Sequence, residues 1–226
     1  MNGFKYGLTA AVLSAVIASA GCDASALPYF LAGCPEPMDQ AGDMALVPDK
    51  KKKDELKIMV LAYSAMEPST EFVTADRELQ SSLSRQLLQL AKKNEEKIAM
   101  ISPGKVQEYK NAHPDWHTAR IEDIGRQFHA DYVIYLEIES MSLYERGGFN
   151  QLYRGRAEIG ITLVNLQKPE MDPIEKHFSC EYPKTRGPVP VDEMNARQFY
   201  LSFMEQVTKR LSWYFVAHES QEDYCD

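Results

Sequence analysis

The sequence DYVIYLEIESM, residues 131–141, is the strongest strand signal in the chain and sets the fold class. Its residues are mostly β-branched, aromatic or aliphatic, which are types enriched in strands. Glu137 and Glu139 lie two apart within it, so a strand places both on the same face. We therefore expect a β-strand from Asp131 to Met141, and the neighbouring segments can be interpreted outward from it.

Toward the carboxyl end, the pattern predicts a hairpin, a third strand and a helix. Gly147 and Gly148 interrupt the chain, and residues 152–166 then alternate between apolar and polar residues, which indicates a second strand joined by a loop longer than the tightest hairpin turns. Residues 174–182 form a candidate third strand. A final helix is predicted from Asp192 to His218, with an apolar stripe at helical spacing formed by Phe199, Phe203, Val207, Leu211 and Tyr214.

Toward the amino end, the apolar run of residues 56–63 (LKIMVLAY) is typical of a buried central strand. Thr74 is a candidate helix cap, Ser102 followed by proline opens a second helix, and Thr118 opens a third. A short strand at 97–101 separates the first two helices. The predicted order is β-α-β-α-α-β-β-β-α, an α/β (α+β) fold with helices packed on a mixed sheet.

The first 21 residues have the pattern of a secretory signal peptide. Lys5 provides a positive start, residues 6–20 carry no charge, and small residues precede Cys22. The apolar run is shorter than the roughly 20 residues that a membrane-spanning helix needs.

The residues Ser-Ala-Gly-Cys at 19–22 resemble the lipobox of bacterial lipoproteins. The resemblance implies that Cys22 becomes the first residue of the mature chain and carries diacylglycerol and an acyl chain, with no other cofactor expected. Leu-Ala-Gly-Cys at 31–34 offers Cys34 as an alternative, although its leader would contain Asp23 and Pro28. We expect lipidation at Cys22, anchorage in the cell envelope and a domain in the periplasm.

Domain organisation follows from these signals. Residues 1–21 form the signal peptide, 22–54 the lipidated cysteine and a proline-containing tether, and 55–226 a single globular domain.

The net charge of −8 argues against nucleic acid as a partner, because an acidic surface repels phosphate. Cys34, Cys180 and Cys225 remain for a disulfide in an oxidising envelope, and the sequence leaves their pairing open.

The sequence carries few signs of catalytic chemistry. His113 and His117 have the spacing of a helical zinc pair, but Pro114 lies between them and disfavours a helix; a loop in which Trp116 fills the core is the simpler interpretation. The sequence contains no nucleophile elbow and no phosphate-binding glycine loop. Two carboxylates on one strand face could act in acid–base catalysis if buried, but more often line a solvated face. We predict no catalytic residue, no metal ligand and no enzyme.

The hairpin is the most distinctive surface feature. It gathers aromatic residues and arginines, the types enriched at protein interface hot spots. The candidate partner-binding residues are Tyr144, Arg146, Phe149, Tyr153, Arg154 and Arg156. The alternative is that the tyrosines pack on the sheet while the arginines pair with the abundant acids.

The element order, together with Ala-Asp-Tyr-Val at 130–133, resembles a group of envelope proteins with an anticodon-binding-like fold. That group includes the curli secretion channel lipoprotein and the amino-terminal domain of the Tol-Pal propeller protein. The segments Pro-Asp-Trp at 114–116 and Leu-Tyr-Arg-Gly-Arg at 152–156 are similar to those of uncharacterised lipoproteins of planctomycete bacteria. These resemblances imply a fold and a location, and no functional residue is transferred.

Three functions remain to be compared. The first is a non-enzymatic adaptor or regulator, anchored to the membrane by lipid, that binds an envelope protein. The second is a subunit of an oligomeric secretion channel, which would need apolar membrane-crossing strands that the charged segment 145–156 does not supply. The third is an enzyme acting on an envelope polymer. We favour the adaptor.

Overall fold

The computed structural model describes residues 38–46, 55–67 and 70–219. Its strands are, in chain order, β1 (Met38–Asp39), β2 (Leu56–Ser64), β3 (Ile98–Met100), β4 (Tyr132–Tyr144), β5 (Leu152–Asn165), β6 (Ile174–Tyr182), β7 (Val189–Pro190) and β8 (His218–Glu219). Its helices are α1 (Ala75–Lys93), α2 (Pro103–Ala112), α3 (Ile121–Gln127) and α4 (Ala196–Ser212), with a 3-10 turn at Trp116–Thr118.

The main sheet is mixed, with the strand order β3-β2-β4-β5-β6 and β7 paired to β5. Strand β2 runs parallel to both β3 and β4, while β5 is antiparallel to β4 and β6. Helix α1 connects β2 to its neighbour β3 on one face of the sheet, and α2 and α3 then connect β3 to β4 across β2 on the other face. A separate antiparallel pair joins β1 to β8.

One face of the sheet carries the larger core. Helices α1 and α4 pack there and bury Leu83, Phe199 and Phe203 against strand residues such as Ile134. The leucines of α1 recur at three- and four-residue spacing, which places them in one stripe facing the sheet. This layer supplies most of the apolar burial that stabilises the fold.

The opposite face carries a smaller core that covers only part of the sheet. Trp116, Ile124 and Val106 from the short helices pack there on β2 and the start of β4. In the part of the chain that the structure describes, the rest of this face, formed by β4, β5 and β6, carries polar side chains and no helix.

The two ends of the sheet have different roles. At one end, β1 pairs with β8, the Leu46 amide donates to the Phe215 carbonyl at 3.1 Å, and Asn94 donates to the Ala217 carbonyl at 2.9 Å. At the other end, β4 turns into β5 through residues 145–151, which we name the hairpin tip. The chain therefore enters the described unit at the end opposite the hairpin tip.

The predicted fold class and element order are confirmed. The last helix is shorter than predicted: it begins after Asn195, whose side chain accepts a hydrogen bond from the Gln198 amide at 2.8 Å, and it ends at Ser212. Helix α3 begins at Ile121, not Thr118, because a 3-10 turn comes first.

Part of the predicted tether belongs to the folded unit. Residues 38–46 lie within the segment assigned to the tether, yet Met44 and Leu46 are buried in the larger core. Burial of these two apolar side chains stabilises the packing of residues 38–46 on the rest of the domain. The described residues from Met38 onward form one compact unit. The predicted lipidation sites Cys22 and Cys34, and Cys225, lie outside the described residues, as does the signal peptide.

Candidate functional site

The hairpin tip is shaped by backbone conformation and short hydrogen bonds. Gly147, Phe149 and Asn150 have φ values of 78°, 49° and 58°, the left-handed region that glycine and asparagine tolerate best. The Glu145 amide donates to the Leu152 carbonyl at 2.9 Å and closes the loop. For Phe149 this conformation is unfavourable, so the hydrogen bonds around the loop must offset its cost.

Four charged side chains form a network at the base of the tip. Arg154 contacts Glu145 through Nε at 2.7 Å and also pairs with Glu181. Arg156 donates from Nη2 to Glu145 at 2.7 Å and from Nε to Glu181 at 3.2 Å. Each carboxylate is therefore shared by both arginines, and the network connects the hairpin to β6.

This network changes the ionisation of its acids. The hydrogen bond from Arg156 lowers the pKa of Glu145, and the hydrogen bond from Arg154 lowers the pKa of Glu181. Both carboxylates therefore stay ionised to a lower pH than an unpaired glutamate. Both arginines have polar partners within the fold, in agreement with the alternative interpretation of their role.

The two tyrosines of the predicted site pack inward. Tyr153 is buried and its ring stacks on Phe199 with centroids 4.8 Å apart. Tyr144 is partly buried against Tyr153, and this burial raises the pKa of the Tyr144 hydroxyl. Tyr153 is thus a core residue of the hairpin end, and its side chain does not reach the surface.

Phe149 and Arg146 remain at the surface. Phe149 is 92% exposed and has the greatest exposure among the large apolar side chains of the described residues. Arg146 is exposed in the same loop, and its backbone amide donates to the Glu145 side chain at 2.9 Å. The predicted site therefore separates into an exposed tip and a packed, ion-paired base, and partner binding by its residues stays a prediction.

The uncovered part of the sheet forms a second polar surface. Glu139 contacts His177 at 3.2 Å, and Glu158 lies 3.7 Å from the same imidazole nitrogen. Ser179 donates to Glu158 at 3.0 Å. Glu139 and Glu158 are roughly half exposed, so they have the solvated environment expected of acids on an open sheet face.

Sequence reasoning placed Glu137 and Glu139 together but missed Glu158 and His177. The strand register brings them close, because Gly160 of β5 pairs with Glu137 on one side and His177 on the other. The alternation of polar and apolar residues within β5 and β6 is the sequence signal that could have placed Glu158 and His177 on this face. Nearby, burial raises the pKa of Tyr135 to about 12, and the Glu137 charge adds to the rise.

The histidine pair is separated by local structure. His113 ends α2 and stacks on Tyr109 at 4.3 Å, whereas His117 lies in the 3-10 turn and stacks on Tyr63 at 5.0 Å. Trp116 is buried in the smaller core, which confirms the loop interpretation. Across residues 38–46, 55–67 and 70–219, no group of three or more His, Cys, Asp or Glu side chains is arranged to hold a metal ion.

Two further expectations concern the membrane and the cysteines. None of the helices in the described ranges is long and apolar enough to cross a membrane. Cys180 is buried, with the Arg210 guanidinium 3.6 Å from its sulfur. Its two candidate disulfide partners lie outside the described residues, so the pairing stays open.

Comparisons with known proteins identify similar folds only. No protein-family model and no curated protein matches this chain. Similar solved structures include a PelC dodecamer from Paraburkholderia phytofirmans, which is 10% identical with a TM-score of 0.44 and covers 80% of this chain and 96% of that chain. Lipoprotein GNA1162 from Neisseria meningitidis is 14% identical with a TM-score of 0.40, covering 69% and 98%.

A third similar structure is the hypothetical protein CT253 from Chlamydia trachomatis, 14% identical with a TM-score of 0.44, covering 71% of this chain and 97% of that chain. Lipoproteins are therefore among the proteins that this chain resembles in structure. At these identities and TM-scores, the similarities do not assign this chain to a family.

Proposed function

We propose that this chain is a lipid-anchored protein of the bacterial cell envelope and that it acts without catalysis, as an adaptor that binds a protein partner through its hairpin tip. The observation that carries the proposal is the 92% exposure of Phe149 at the tip of a hairpin whose base is ion-paired and packed. Aromatic side chains are enriched in the cores of protein interfaces. Covering such a ring gains about 1.5–3 kcal/mol from apolar burial.

The base of the hairpin supports this role. The ion pairs of Arg154 and Arg156, and the stacking of Tyr153 on Phe199, hold the hairpin end to β6 and α4. A loop held in one conformation loses little conformational entropy on binding, so more of the contact energy appears as affinity. Arg146, exposed in the same loop as Phe149, adds a charged donor to the hairpin tip.

The direction of the tip also suits an anchored protein. The chain enters the folded unit at Met38, at the opposite end of the sheet from Phe149. A lipid on Cys22 would hold the entry end toward the membrane and leave the tip accessible to periplasmic proteins. Confinement to a membrane surface raises the effective concentration of partners, so a small contact surface is sufficient.

Photo-crosslinking in living cells tests the adaptor function. We expect a photoreactive amino acid at Phe149 to capture one discrete foreign protein. The same amino acid at Met171 is the control, because Met171 is 51% exposed and lies between β5 and β6, near the opposite end of the sheet. Equal capture at both positions, or no capture at Phe149, would contradict partner binding by the hairpin tip.

A further inference from the structure

A groove runs between α1 and α4 on the outer side of the larger core. The helices lie side by side in the same direction: Arg197 near the start of α4 is 3.8 Å from Glu78 near the start of α1, and Asn94 after α1 bonds to Ala217 after α4. The groove has a volume of about 800 Å³.

The groove is basic although the chain as a whole is acidic. The charged residues that line it are Arg77, Arg85, Arg197 and Lys209, opposed by Glu78 and Glu205. Basic side chains thus outnumber acidic ones two to one here, whereas the whole chain has a net charge of −8. Arg77 and Arg85 are exposed and lie eight residues apart, on the same side of α1. We name this surface the basic groove.

The opposite side of the domain carries the complementary charge. The open part of the sheet presents Glu137, Glu139, Glu158 and Glu175, which we name the acidic face. Their alternate positions along β4, β5 and β6 direct them away from the face that α1 and α4 cover. The nearby arginines Arg154 and Arg156 are matched by two further glutamates, so they do not offset this charge.

We propose that a second copy of this chain is the partner of both surfaces, with the acidic face of one copy docked on the basic groove of the next. The two surfaces lie on opposite sides of the sheet layer and extend along the strands. Copies anchored to the membrane in the same orientation can therefore place the acidic face of one against the basic groove of the next. Such a contact is heterologous, because it joins two different surfaces: one copy keeps its basic groove unused and the other keeps its acidic face unused.

The expected strength of this contact is modest. Exposed ion pairs contribute about 0.2–1 kcal/mol each and are screened by salt. Self-association in solution should therefore be weak and should decrease as salt is added. The proposed lipid anchor would strengthen it by concentrating the copies on one surface. Only this strengthening by the anchor rests on the proposed function. The contact itself is expected to form between copies that carry no lipid.

Charge reversal on each surface tests the contact by sedimentation of the full chain carrying Cys22→Ser at low ionic strength. The groove variant is Arg77→Glu with Arg85→Glu, and the face variant is Glu137→Lys with Glu158→Lys. We expect each variant alone to associate about tenfold more weakly than the parent, since like charges then meet. An equimolar mixture should associate again, because each variant supplies the surface that the other has lost.

The control for the groove variant is Lys105→Glu with Lys184→Glu, which makes the same change in net charge as that variant but at exposed positions outside both surfaces. We expect this control to associate like the parent. A parent that stays monomeric, a control that weakens equally or a mixture that fails to associate would overturn the inference. None of these results bears on the capture of a foreign protein at Phe149, so the two proposals fail separately.

Discussion

Replacement of Lys110 by methionine is expected to lower the free energy of unfolding by about 2–3 kcal/mol, because it breaks a buried ion pair. Lys110 is 7% exposed; its ammonium donates to Asp76 at 2.7 Å and to the Ala62 carbonyl at 2.8 Å, and lies 4.9 Å from the centre of the Trp116 ring. Methionine retains the apolar stem but leaves the carboxylate without its cation. Asp76 is one-quarter exposed, so water offsets part of the loss.

The structural role of Lys110 explains the size of this effect. It extends from α2 on one side of the sheet to Asp76 at the start of α1 on the other, and so connects the two helical layers past β2. Urea unfolding monitored by circular dichroism measures the change. Lys105→Met on the same helix is the control, because Lys105 is exposed. Equal losses for both variants would show that the buried ion pair contributes nothing specific.

Replacement of Gly155 by alanine is expected to cost about 2 kcal/mol through overpacking. A β-carbon at this position would lie 2.4 Å from the ring of Phe203, which α4 holds with no exposure to solvent. Strand β5 is paired on both sides, and the larger core fills the space around the ring. The ring or the strand must therefore move to admit the methyl group.

Gly160→Ala provides a matched control for this substitution. Gly160 lies in the same strand, but a β-carbon there would first meet the Glu139 carboxylate at 3.3 Å, and that side chain, roughly half exposed beside His177, has room in solvent to shift. We expect little change in its melting temperature. Adding Phe203→Leu to the Gly155 variant should recover part of the lost stability. The packing explanation is wrong if both glycine variants melt alike.

The fold could be predicted from the sequence because its long elements have strong periodic signals. The strand at 131–141, the alternation within β5 and the leucine stripe of α1 each identify an element and its buried face. The short strands could not be predicted in this way. Strands β1 and β8 have two residues each, and they pair only because Met44, Leu46 and Phe215 bury beside them.

The candidate site could be predicted only in part. Alternation within a strand indicates that Tyr153 and Arg154 face opposite sides, but not which side is covered. That outcome depends on Phe199 of α4 stacking on Tyr153, a contact between residues far apart in the chain. The pairing of Arg154 with Glu181 likewise depends on the register between β5 and β6. The basic groove requires the parallel packing of α1 and α4, for which the sequence carries no local signal.

The proposed lipid on Cys22 would place the partner binding at a membrane, and cell fractionation tests this anchor most directly. We expect Cys22→Ala to move the protein from the membrane fraction to the soluble fraction and Cys34→Ala to leave it with the membranes, because several acyl chains on one cysteine give stable anchoring. Retention of the Cys22 variant in the membrane fraction, or release of the Cys34 variant, would contradict the proposed anchor.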